Sequence, residues 1–305
     1  MTMALLTSAV RALPPSPQSL ATRPSVICVR DGVRLHRQHW PVSQARGTVV
    51  LVHGIAEHLG RHTHVAQRLQ SWGWQVVAFD QRGHGRSDGR RGALSTPDDL
   101  VKDVAEVVAQ VRREVVEGPL ILMGHSMGGL VVGAHALGLL DETAETGSHI
   151  DALVMLSPAL DVSGTAPAVL QRALPWLDRV LPWLTVRARF DAADICRDPR
   201  VVRAYLHDPL VHDRISVRLG HFIQSTGRRV RAAASRWVVP TLLLYAGADR
   251  IVHPQGSLEF ARHAAPSVVR AHGFERLAHE LHNEPEQDAV MAHLQCWLNE
   301  LWSDG

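Results

Sequence analysis

The chain has 305 residues, 46% of them hydrophobic and 20% charged, with a formal net charge of +2. That balance belongs to a globular protein rather than a disordered one, and so small a net charge gives no field to draw nucleic acid, which is not expected as a partner. The three cysteines Cys28, Cys196 and Cys296 lie far apart with no CxxC, which argues against a disulfide framework and for a reducing, cytoplasmic setting.

Residues 1–24 read as a flexible N-terminal arm: the short apolar run has no basic segment before it, as a signal peptide would require. No run of ~18 uninterrupted apolar residues exists to form a transmembrane helix. SVICVRDGVRLHRQHW (25–40) predicts a hairpin turning at Asp31-Gly32. GTVVLVHG (47–54) is a continuous apolar run that suits a strand buried on both faces. QVVAFD (75–80), PLILMG (119–124), DALVMLS (151–157) and PTLLLYAG (240–247) repeat it. Helix-like segments at 61–72, 97–117 and 127–141 alternate with them, and the second puts Leu100, Val104, Val107, Val108 and Val111 on one face. This alternation predicts an α/β fold with a mostly parallel central sheet and helices on both faces.

After Ser157 the rhythm breaks. Residues 158–236 hold no comparable strand run but repeat Leu-Pro-Trp-Leu at 174–177 and 181–184. They read as an insertion above the carboxyl edge of the sheet, built of short helical pieces that bend at the prolines. The sheet resumes at Pro240, and a final helix is expected from Pro285, which suits a first helical position.

The chemistry starts at Gly124-His125-Ser126-Met127-Gly128. This is G-x-S-x-G between a strand and an apolar helix, the context in which the motif is specific. The turn lifts the serine hydroxyl clear of the sheet, and side chains at Gly124 and Gly128 would collide with neighbouring backbone. A serine needs a base, and the base an orienting acid. In the order serine, acid, histidine, the acid follows a later strand, which selects Asp249 in AGADR. Asp80 ends an earlier strand, precedes the serine, and is expected to hold its own loop together. For an oxyanion, the expected donors are the N–H groups of Met127, after the serine, and of Ile55, in the loop after the first buried strand. AHELHNE (278–284) offers two histidines for the base. His279 is nearer the preceding strand and His282 nearer the helix; position leans to His279 without settling it.

HGIAEH (53–58), FDQRGHGRSDGRRG (79–92), GHSMGG (124–129), SPALD (157–161), HDPLV (207–211), AGADRIV (246–252) and HELHNE (279–284) together resemble the monoacylglycerol lipase and lysophospholipase group of α/β-hydrolases, from about residue 25 to the C-terminus. The resemblance implies an α/β-hydrolase core over 25–157 and 237–305 and a helical cap, or lid, over 158–236. It implies a serine esterase acting on single-chain acylglycerols or similar lipid esters without a cofactor, with His279 as the base and Ile55 and Met127 as oxyanion donors. His282 becomes a supporting residue, lining the site or capping the helix entry. One departure is visible: Ala278 stands where members often carry an aromatic residue.

In the cap, Trp176, Leu177, Leu181 and Trp183 admit two readings: an apolar rim that accepts an acyl chain or touches a lipid surface, or packing against the main domain. HELH is one residue short of the zinc motif H-E-x-x-H. Glu57, His58, His62 and His64 also cluster, but among 19 histidines such clusters arise by chance. No catalytic metal is expected, and this group is read as hydrogen bonds or salt bridges near the oxyanion loop. An aspartate-nucleophile enzyme is disfavoured by Ser126. A lysophospholipase, a broad carboxylesterase or acyltransferase, and a non-catalytic hydrolase-like binding protein are the rival functions.

Overall fold

The computed structural model describes residues 23–115, 118–143, 147–162, 167–188 and 191–302. The arm expected over 1–24 lies outside them except for its last two residues, which open the first strand. In chain order the elements are β1 (Arg23–Cys28), β2 (Arg34–Trp40), β3 (Gly47–Val52), α1 (Thr63–Ser71), β4 (Trp74–Phe79), α2 (Asp99–Glu114), β5 (Leu120–His125), α3 (Met127–Leu140) and β6 (Ala152–Leu156). There follow α4 (Ala168–Val180), β7 (Thr185–Arg187), α5 (Pro199–His207), β8 (Arg214–Ser216), α6 (Val217–Ala232), β9 (Thr241–Ala246), α7 (Pro254–His263), β10 (Val269–Phe274) and α8 (Gln287–Leu301).

Eight strands form one sheet in the order β1-β2-β4-β3-β5-β6-β9-β10. The β1–β2 and β2–β4 pairs are antiparallel and all the others parallel. The β1–β2 hairpin turns where Gly32 takes a φ of +83°, a conformation open to glycine at little cost. Every residue of β3, β5 and β6 is buried, because helices cover both faces. One apolar cluster joins the sheet to α2, α3 and α6 through residues such as Val104, Leu130 and Phe222; the other joins it to α1 and α8 through Leu69, Leu294 and Trp297.

The insertion departs from the expected form in three places. Thr185–Arg187 and Arg214–Ser216 pair as a short antiparallel ribbon, where no strand was expected. The first Leu-Pro-Trp-Leu lies inside α4, with Pro175 in the helix interior, while the second forms the turn after it. Pro175 is exposed, so the helix passes through it on the solvent side. Finally, α6 buries Leu219, Phe222, Ile223 and Val230 in the main core. At the C-terminal end, Pro285 sits in the turn before α8 rather than at its first position.

Candidate active site

β5 runs into Ser126, which turns the chain into α3 with φ 55° and ψ −120°. A residue with a Cβ holds such angles only when its surroundings enforce them. The Ser126 N–H donates to the Leu156 carbonyl at 2.9 Å, and the Ser126 carbonyl accepts from Leu130 at 3.0 Å and Ala159 at 2.9 Å. The flanking glycines let the turn close: a Cβ at Gly124 would sit 2.4 Å from the Gly128 oxygen, and one at Gly128 2.2 Å from the Val52 oxygen.

Two loops bring the partners. His279, five residues past β10, places Nε2 2.8 Å from Ser126 Oγ. Its Nδ1 meets Asp249 Oδ2 at 2.7 Å, just beyond β9. Asp249 Oδ1 accepts from the N–H groups of Ile251 at 2.8 Å and Val252 at 2.9 Å, which fixes the carboxylate. Burial opposes the charged imidazole, but the Asp249 carboxylate outweighs it and holds the His279 pKa above the ordinary histidine value. Burial likewise opposes the Asp249 carboxylate; His279 and the two amides overcome it and hold its pKa below the usual range. Met127 opens α3, so its N–H is among the amides that the helix leaves unpaired beside Ser126.

Ser126 and His279 line a cavity of about 30 Å³, room for a water molecule. Gly54, Ile55, Arg61, Ile195, Tyr205 and Ile251 are also in its wall. The insertion thus contributes Ile195 and Tyr205. Trp176, Leu177, Leu181 and Trp183 are not in the wall. Trp176 is 63% and Trp183 58% exposed, so neither is packed against the main domain. Asp178, on the inner side of α4, accepts from Arg218 Nε at 3.0 Å and pairs with His221 Nδ1 at 2.9 Å, which bolts α4 to α6 while the apolar side chains face outward.

A polar network forms the rest of the cavity wall and continues behind it. Glu57 Oε1 accepts from the Gly54 N–H at 2.6 Å and from His125 Nδ1 at 3.0 Å; Oε2 accepts from Arg61 at 3.0 Å and His62 Nε2 at 3.1 Å. Burial disfavours this carboxylate, yet His62, His125 and Arg61 hold its pKa well below the usual range. Arg61 also pairs with Glu280 at 2.5 Å, and the Tyr205 ring lies 4.8 Å from its guanidinium. Glu57 and His62 thus do hydrogen-bond beside the oxyanion loop, while His58 reaches across to Asp208 at 2.8 Å. Asp80 accepts from Arg86 of its own loop at 2.8 Å and from Leu59, between β3 and α1, at 2.7 Å, so it ties two loops together.

His282 neither lines the cavity nor caps α8. It is fully buried, stacked on His62 at 4.5 Å and edge-on to His125 at 4.7 Å. Glu284, which sequence reasoning passed over, is also fully buried. Its carboxylate accepts from the Ala278 N–H at 3.1 Å, the Arg197 N–H at 2.6 Å and Arg197 Nε, so one side chain sets the His279 loop and ties it to the insertion. The Glu280 N–H adds a bond to the Ile195 carbonyl at 2.8 Å.

Residues 43–286 match the family model for Hydrolase_4, "Serine aminopeptidase, S33". The chain is 34% identical to a monoacylglycerol lipase of Mycolicibacterium smegmatis, over 88% of this chain and 93% of the relative. It is 31% identical to the human monoglyceride lipase, over 88% of each. Among solved structures, the Paleococcus ferrophilus monoacylglycerol lipase superposes with a TM-score of 0.77 at 34% identity, covering 87% of this chain and 98% of that one. With its fold, the geometry at Ser126 and these matches in agreement, the chain belongs to the Hydrolase_4 family, in the monoacylglycerol lipase group of the α/β-hydrolases.

Proposed function

We propose that the protein is a serine carboxylic ester hydrolase that cleaves monoacylglycerol-like, single-chain lipid esters through an acyl-enzyme on Ser126. The observation that carries this reading is the unbroken chain Ser126 Oγ, His279, Asp249, with contacts of 2.8 and 2.7 Å. His279 Nε2 takes the hydroxyl proton as Oγ attacks the ester carbonyl. The oxyanion is received by the Ile55 and Met127 N–H groups, and the alcohol departs with the proton from His279. Water, deprotonated by the same nitrogen, then releases the fatty acid and frees Ser126. Asp249 keeps the imidazole in the right tautomer and stabilises its charged form.

The core is taken as 25–157 and 237–305 and the cap as 158–236, with α6 joining the two: it packs Leu219, Phe222, Ile223 and Val230 into the main core and holds Asp178 of α4 through Arg218 and His221. Ile195 and Tyr205 of the cap stand in the wall beside Ser126, so an ester that reaches the hydroxyl passes against them. The outward side chains of Trp176, Leu181 and Trp183 meet the lipid surface from which the substrate is drawn. No helix among the described residues is long and apolar enough to cross a membrane.

A fluorophosphonate probe tests the chemistry, with an adduct expected on Ser126 and none in Ser126→Ala. A hydrolysis panel of monoacylglycerols, lysophospholipids and short p-nitrophenyl esters tests the substrate class; monoacylglycerols should give the highest kcat/KM. A competing alcohol in the same assay separates acyl transfer from hydrolysis.

A further inference from the structure

The histidines around Glu57 have capacity that the reaction does not use. His62 at the start of α1, His125 at the end of β5 and His282 in the loop before α8 are all buried. One ring nitrogen of each lies within 4.8 Å of those of the other two. His125 Nε2 and His282 Nδ1 have no hydrogen-bond partner among the described residues. The ionised Glu57 can only accept, so His125 carries its proton on Nδ1, which leaves a lone pair on Nε2. A carboxylate on the far nitrogen of a histidine is the usual way a protein orients a metal ligand, and Glu57 does this for His62 and His125 together. Glu57 and Glu280, both buried, both pair with Arg61.

We propose that His62, His125 and His282, oriented by Glu57, form a binding site for a divalent transition-metal ion that prefers imidazole, Zn²⁺ above all. Three nitrogens and one open position match the ligand set of a tetrahedral zinc ion. Bonds of about 2.0–2.1 Å require the nitrogens to draw in to roughly 3.4 Å from one another. The rings do this by turning, which opens the His62–His282 stack. The ion takes no part in hydrolysis. His125 adjoins Ser126, and its ring lies 4.9 Å from that of His279. A cation held there opposes the charged imidazole that the reaction forms, so occupancy slows turnover. That consequence rests on the hydrolase reading; the binding itself does not.

The test uses the full chain after chelator treatment, dialysed against micromolar Zn²⁺ with bound metal counted by emission spectrometry. One tight equivalent is expected, lost in His62→Phe and retained in His293→Ala, which breaks a stacked histidine pair away from the site that could attract zinc, His272–His293 at 4.0 Å. If His62→Phe does not fold, Co²⁺ on the unmodified chain gives the answer, through the intense visible bands of a four-coordinate site. Zn²⁺ should cut ester hydrolysis at least tenfold, and a chelator should restore it. No tight equivalent, one that survives in His62→Phe, or a six-coordinate Co²⁺ spectrum overturns the site and leaves a bridging water as the occupant. Fluorophosphonate labelling of metal-free protein reads the hydrolase proposal separately, so failure of either is recognisable.

Discussion

Asp249 and His279 meet at 2.7 Å although 30 positions separate them, one on the loop after β9 and the other on the loop after β10. The parallel pairing of those neighbouring strands delivers both loops to the same edge of the sheet. The contact also sets the pH response. The base must be neutral to take the serine proton, and Asp249 raises its pKa. The kcat/KM of the enzyme should therefore rise with pH through a midpoint above the unperturbed ~6.5. In Asp249→Asn the midpoint should move down while kcat drops by about 10³- to 10⁴-fold. An unmoved midpoint would assign the titration to another group.

The two histidines of HELHNE should separate cleanly. His279→Ala removes the only imidazole that touches Ser126 Oγ among the described residues, and kcat should fall by about 10³-fold or more. His282→Ala leaves that contact intact and should retain a measurable fraction of turnover. Steady-state kinetics on one soluble ester decides, and the opposite ranking would reverse the assignment.

Trp176 and Trp183 are exposed, so replacing both by alanine should change folding stability by no more than about 0.5 kcal/mol each. Activity on long-chain monoacylglycerol in vesicles should fall several-fold, with acetate esters unaffected. Equal losses on both substrates, together with a lowered Tm, would return these residues to a packing role.

Glu284→Ala would strip the Ala278 and Arg197 amides of their shared acceptor inside the protein. Urea titration should register a loss of about 2–4 kcal/mol. Turnover should drop as well, since Ala278 immediately precedes His279. Glu284→Gln, which keeps one acceptor oxygen, should fall between. A loss below about 0.5 kcal/mol would mean that the clamp is dispensable.

What the sequence revealed follows from what burial does to composition. β3, β5 and β6 are covered on both faces, so their residues had to be apolar throughout, and such runs stand out. β10 is an edge strand that exposes Arg270 and Ala271, and VRAHGF carries no comparable signal. Ser126 and Asp249 could be named because each sits at a fixed offset from a strand end or within a short motif, whereas the choice of His279 over His282 needed the family resemblance. The cavity wall could not. Ile195 and Tyr205 lie in short segments of mixed polarity that carry no motif, whereas the conspicuous Leu-Pro-Trp-Leu repeats face outward; an apolar stripe does not reveal its partner. Glu284 and His282 were hidden for a related reason. Polar residues in a loop read as solvated until the fold closes over them.

The backbone of Ser126 has a consequence for how the protein can be stabilised. At φ 55° and ψ −120° a Cβ is a burden of roughly 1–3 kcal/mol, and glycine would carry none of it. Ser126→Gly should therefore melt later than the active protein, a case in which loss of function and gain of robustness are one event. A search for heat-resistant variants that monitors only folding would enrich for this substitution, so selection for thermal tolerance has to be coupled to turnover from the outset.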